Sequence, residues 1–145
     1  MTLVGVNLVP AMPRAEAIIL PLLRVVLPGV TVGTWVEDVD HRKFPLIHIR
    51  RIGGVRNERR PLLLGMQAIE IACFRSDDLA STAQMYDTAL EALYRARDNQ
   101  TVTPNGWISS VDERIGPMQL ASPYQDSWLI QGAVQLGVRP PHSHH

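Results

Sequence analysis

Residues 62–97 read LLLGMQAIEIACFRSDDLASTAQMYDTALEALYRAR, and the periodicity changes midway through them. From Leu62 to Phe74 the apolar residues repeat every second position. Ile69, Ile71 and Cys73 share one face and Ala68, Glu70 and Ala72 the other, as in a half-buried strand. Ser76, Asp77 and Asp78 then supply the cap and first-turn acids of a helix. Its stripe is Leu79, Ala83, Tyr86, Leu90 and Leu93; Arg95 and Arg97 suit its C-terminal end, and Asn99 stops it. A strand running straight into an amphipathic helix makes this an α/β chain of the α+β type, and the flanking sequence decides how many strands join it.

Upstream, Phe44–Ile52 is a second run of strand formers, ending at Gly53-Gly54. Phe44, Leu46, His48 and Arg50 lie on one face, Ile47, Ile49 and Arg51 on the other. Both faces begin apolar and end basic, so the arginines belong where the strand leaves the core. Val30–Val36 is a shorter β-branched run, expected to pair with Phe44–Ile52 as a hairpin across the charged, exposed connection Glu37-Asp38-Val39-Asp40-His41-Arg42-Lys43. Before it, Ala15, Ile18, Ile19, Leu22, Val25 and Val26 recur at helical spacing until Leu27-Pro28-Gly29. Pro13 suits the first helical position, and Pro21, which has no amide proton, is expected to kink the helix or delay its start.

Downstream, Trp107–Ile115 and Ser127–Val138 read as strands, separated by Gly116-Pro117 and Pro123-Tyr124-Gln125-Asp126. The second alternates Trp128, Ile130, Val134 and Leu136 against Gln131 and Gln135. The order helix, three strands, helix, two strands predicts a mostly antiparallel sheet of about five strands with two main helices packed on one side. No repeat or Gly/Ser-rich linker divides residues 1–145, which read as a single domain with a flexible Pro/His-rich tail over 139–145.

Fourteen basic residues balance fourteen acidic ones, which argues against a protein that grips nucleic acid through its phosphates. The distribution is uneven. Residues 41–60 hold seven Lys or Arg against one acid, while residues 1–40 sum to −2 and 61–145 to −4. Such separated charge suits head-to-tail self-association, with Asp77, Asp78, Asp112 or Glu113 of a neighbour as receivers of the arginines. The basic stretch lacks the interleaved aromatics that stack bases, Phe44 alone falling within it. Ala17–Pro28 is too short to span a bilayer and is interrupted by Pro21 and Arg24. With no signal-like start, synthesis and action in the cytoplasm are the expectation.

No constellation for catalysis emerges. Gly53-Gly54 has neither Walker nor dinucleotide spacing and reads as a turn, and no Gly-x-Ser-x-Gly elbow exists. Glu37, Asp38, Asp40 and His41 are the best metal-like group, but they lack the glycine and distal glutamate of a calcium loop. His48 reads as a partly buried, hydrogen-bonded histidine, and Cys73, the lone cysteine, as a small core residue. His142, His144 and His145 end the chain in an incidental tail. Neither a cofactor nor a metal is expected, and the chain reads as a non-enzyme.

The order of these motifs resembles the tail terminators of long-tailed bacteriophages, also called tail-to-head joining or tail completion proteins, especially those of phages with actinobacterial hosts. The resemblance spans nearly the whole chain: an opening helix closing on Leu27-Pro28-Gly29-Val30, then Val32-Gly33-Thr34, the strand from Phe44 to Gly54, the Leu79–Arg95 helix, the Gly116-Pro117 turn, and a closing strand entered through Pro123-Tyr124 and running to Val138-Arg139. Pro21, the seven-residue charged connection and the His-rich end depart from it. The resemblance implies a small α/β subunit in a hexameric ring on the head-proximal end of the tail tube. There it would halt tube growth and join the tail to the head-neck connector or head-closure protein. It implies as partners a copy of itself, the major tail tube protein and that connector, with DNA only passing through the lumen, no membrane, and a place at the tail-neck junction of the virion after assembly in the host cytoplasm. The family carries no catalytic residue. Subunit or tube contacts are expected from Glu37, Asp38, Asp40, Arg42, Lys43, Arg50, Arg51, Arg56, Arg59 and Arg60. The alternatives are another neck component, a small enzyme using His48 with Asp40 or Glu70, and a nucleic-acid-binding module.

Overall fold

The strand read at the centre of the sequence is also the centre of the sheet. A computed structural model describes residues 12–34 and 43–141. The elements run α1 (Ala15–Val26), β1 (Thr31–Gly33), β2 (Leu46–Arg56), β3 (Gly65–Arg75), α2 (Leu79–Asp98), β4 (Trp107–Leu120) and β5 (Trp128–Arg139). They form one five-stranded sheet in the order β1-β2-β3-β5-β4. β3 pairs antiparallel with β2 from Leu46↔Phe74 to Arg56↔Gly65, and with β5 from Gly65↔Val138 to Arg75↔Trp128.

Alternation along the strands decides the layers. Ile69, Ile71 and Cys73 of β3, Ile47 and Ile49 of β2, and Ile130, Val134, Leu136 and Val138 of β5 point to one face. There they meet Ile18, Ile19 and Leu23 of α1 and Met85, Tyr86, Ala89 and Leu93 of α2. The opposite face carries a small second cluster of Leu46, Ala72, Phe74 and Leu129, with Tyr124 tilted against Phe74 at 5.0 Å between ring centroids. The result is a single α+β domain with a mostly antiparallel sheet and both helices on one side, as expected. α2 is also as read. Asp78 caps it by accepting from the Ser81 N–H at 2.6 Å, Arg95 and Arg97 lie in its last turn, and Asn99 closes it. Asp77 belongs to no first turn, since it is engaged by Arg75 at 2.8 Å.

Five local expectations are corrected. β1 and β2 are not a hairpin: they run parallel, Thr31↔Leu46 to Gly33↔His48, and β-branched composition cannot tell the two directions apart. Gly53-Gly54 does not end β2, which continues through a bulge between Arg51 and Gly53. Gly54 adopts a φ of +119°, and a Cβ there would collide with the Met66 carbonyl, so the position needs glycine. Leu62–Leu64 belong to the turn before β3 rather than to the strand. Gly116-Pro117 is not a turn either, because β4 runs through it to Leu120. As an edge strand β4 tolerates a proline, and the register shift between Ile115 and Met118 absorbs it. Finally, α1 starts at Ala15, after Pro13, and Pro21 does not delay it. The carbonyl of Ala17, which a proline four residues on cannot satisfy, accepts from the Asn105 side-chain amide at 3.4 Å.

Candidate functional site

The far half of β2 leaves the core and takes the arginines with it. Residues Arg50–Arg56 are all exposed, as are Glu58–Leu63 in the connection to β3. The connection is nevertheless built. Asn57 donates its N–H to the Leu64 carbonyl at 3.0 Å, and its Oδ1 accepts from the backbone N–H of both Arg59 and Arg60 at 3.0 Å each. The Leu63 and Leu64 amides return to the Arg60 carbonyl at 3.1 Å. This side-chain turn, followed by Pro61, holds Arg59, Arg60, Leu62 and Leu63 outward at the tip of the β2–β3 hairpin. Exposed aliphatics accompany the charge, with Val55 71% accessible and Ile52, Leu62 and Leu63 each about half so.

The ten residues expected at an interface fall in different places. Glu37, Asp38, Asp40 and Arg42 lie outside the described residues. Lys43 is exposed just before β2, at the opposite end of that strand from Arg56, Arg59 and Arg60. Arg50 and Arg51 sit mid-strand on opposite faces. Arg50 pairs with its cross-strand neighbour Glu70 at 3.0 Å, and the Arg51 guanidinium donates to the Gly53 carbonyl at 3.3 Å. The structure therefore gathers only Arg56, Arg59 and Arg60 at the hairpin tip, and their side chains make no ion pair among the described residues.

The acids that sequence suggested as receivers are occupied within the subunit. Asp77 binds Arg75, which together with the Asp78 amide holds its carboxyl well below the usual carboxylate range. Asp78 caps α2, Asp112 pairs with Arg114 at 3.1 Å, and Glu113 accepts from the Tyr94 hydroxyl at 2.8 Å, raising that phenol's pKa. Asp126 is different. It stands exposed in the β4–β5 connection at a φ of +58° and makes no side-chain hydrogen bond or ion pair among the described residues. With Ser76, Ser127 and Trp128 it lines a notch of about 320 Å³ at the end of the sheet opposite the hairpin tip. Trp128 continues the apolar alternation of β5 but lies beyond the cover of the helices, 41% exposed. Sequence reading missed this notch because an aromatic in register with a core face looks like core.

Groups with chemical potential are quiet. Cys73 is fully buried, and burial pushes its thiol pKa far up, the reverse of what a nucleophile needs. His48 bonds the Thr34 carbonyl through Nε2 at 3.1 Å, and the Glu70 offered as its partner is held by Arg50. Among the described residues no group of three or more His, Cys, Asp or Glu is placed to hold a metal ion. Glu37, Asp38, Asp40 and His41, the metal-like group of the sequence, lie outside those residues, as do His142, His144 and His145. No described helix is long and apolar enough to cross a membrane.

Comparison with known proteins adds what geometry does not supply. Residues 11–145 match the model of a family described as phage tail termination protein. The chain is 49% identical over 135 residues to the Gene 22 protein of Mycobacterium phage D29, covering 92% of this chain and 97% of that one. It is 50% identical over 132 residues to the Gene 22 protein of Mycobacterium phage L5, covering 90% and 95% respectively.

Proposed function

Because the chain belongs to the phage tail termination protein family, a structural and non-enzymatic component of the virion tail, we propose that it works as a homo-oligomeric ring, a hexamer, on the head-proximal end of the tail tube. The ring binds the last layer of the major tail tube protein, refuses a further layer, and presents its other face to the head-neck connector or head-closure protein. DNA passes through its lumen without being read. Differential binding does the work: one surface matches the tube and the other does not repeat it.

The observation that carries this reading is the family match across residues 11–145. The hairpin supports it. A tip that combines exposed leucines with arginines that make no ion pair among the described residues has the composition of a protein contact, whereas a surface for nucleic acid would be basic without the aliphatics. The test is in vitro joining. Tails made without this chain stay unattached when mixed with filled heads, and adding the purified chain produces infectious particles; tails that join heads equally well without it contradict the role.

A further inference from the structure

Two surfaces at opposite ends of the sheet stand exposed among the described residues. One is the hairpin tip with Arg59, Arg60, Leu62 and Leu63; the other is the notch at Asp126 and Trp128. β3 separates them, running from Gly65 beside the hairpin to Arg75 opposite Trp128. At about 3.3 Å per residue that is roughly 33 Å. We infer that the hairpin tip of one subunit docks into the Asp126–Trp128 notch of a second copy of this chain. The inference rests on the ring reading above and names the contact that closes the ring.

The chemistry of the two surfaces is complementary. An arginine entering the notch meets a carboxylate with no ion pair among the described residues, beside an exposed indole, a pairing that suits the flat, multiply donating guanidinium better than it would a lysine. The adjoining leucines cover apolar indole surface that is otherwise in water. Glu58, Asp87 and Glu91 also lack ion pairs among the described residues, but Glu58 belongs to the hairpin tip itself, and Asp87 and Glu91 lie on the exposed face of α2. Asp126 borders both a recess and a large exposed aromatic. The same carboxylate would repel a phosphate backbone, which favours a protein occupant. Because tip and notch sit at opposite ends, each contact leaves one of each free for the next copy, the heterologous geometry that closes into rings.

Cys73 is buried, so introduced cysteines report cleanly on proximity. Oxidation of a double variant, Arg60→Cys with Asp126→Cys, should give a ladder of covalent oligomers ending at the ring, while each single variant stays uncrosslinked. In solution, Arg60→Glu or Asp126→Arg should each raise the dissociation constant between subunits roughly tenfold or more, and the two together should recover most of it. Unchanged circular dichroism melting shows that the variants fold. A wild type that forms rings, with reversal variants that associate as tightly and a double-cysteine variant that gives no ladder or one stopping at dimers, overturns this contact and leaves the ring reading standing. A wild type that is monomeric both alone and on tail tubes removes the ring reading and the contact with it.

Discussion

Gln67 caps α1 from across the core: its Oε1 accepts from the Ala15 N–H at 2.9 Å, and its Nε2 donates to the Pro13 carbonyl at 2.7 Å. The N-cap residue Arg14 makes no side-chain cap of its own, and Gln67, 2% exposed, replaces it. Gln67→Leu would leave a buried donor and acceptor unsatisfied and should cost about 1–3 kcal/mol. Urea unfolding of the variant checks this, and an unchanged midpoint would contradict it.

Tyr86 packs under Gly132, where a Cβ would run into the phenol. Gly132→Ala should therefore destabilise by about 1–3 kcal/mol through overpacking. Thermal melting measures it, and a variant as stable as the wild type would show that α2 can move away from β5 without cost.

Burial pushes the Tyr86 hydroxyl up to about 12, from an ordinary value of 10.0. The unfolded chain loses that proton first. The Tyr86 contribution is thus fully present well below pH 10 and shrinks as pH rises, by about 2 kcal/mol by pH 12. Cys73 pulls the same way, so the comparison must be with Tyr86→Phe, which should lose less stability over that interval. Parallel loss in both proteins would rule the contribution out.

Arg59→Glu combined with Arg60→Glu touches no described internal ion pair, and should change folding stability by less than about 0.5 kcal/mol while reducing tail joining. Titres from a phage carrying both changes provide the measurement. Infectious particles at wild-type yield would deny the hairpin tip a part in assembly.

Asn57→Ala removes the side chain that organises that tip. The expected stability loss is about 1 kcal/mol, since the bonds are exposed, but subunit association should weaken although no charge has changed. Sedimentation of the variant over a range of concentrations checks it; undiminished association would mean that a loose tip docks as well as an ordered one.

The parts of the fold legible in sequence were those with a clean period. α2 showed both a helical stripe and its caps, while β3 and β5 alternated because one face of each packs into the core beneath the helices. Glycine and proline misled. Gly53-Gly54 and Gly116-Pro117 carry turn chemistry, yet each lies where a bulged or edge strand tolerates it, and position in a sheet is a tertiary fact. The direction of β1 was hidden for the same reason. At the candidate site the arginines of the hairpin tip were visible as a charge excess. Which of them have partners was not, because Glu70 reaches Arg50 only through sheet register. Asp126 was missed because nothing in the sequence separates an unpaired acid from Asp77 or Asp112, both of which are held by arginines.

Tail tube growth tests the account at its centre. Tube protein polymerised around its tape measure in the presence of this chain, and viewed by electron microscopy, should give tubes of one length with a ring at one blunt end, and in its absence tubes that run on past that length. Equal length distributions with and without the chain, and no ring at either end, would contradict the account.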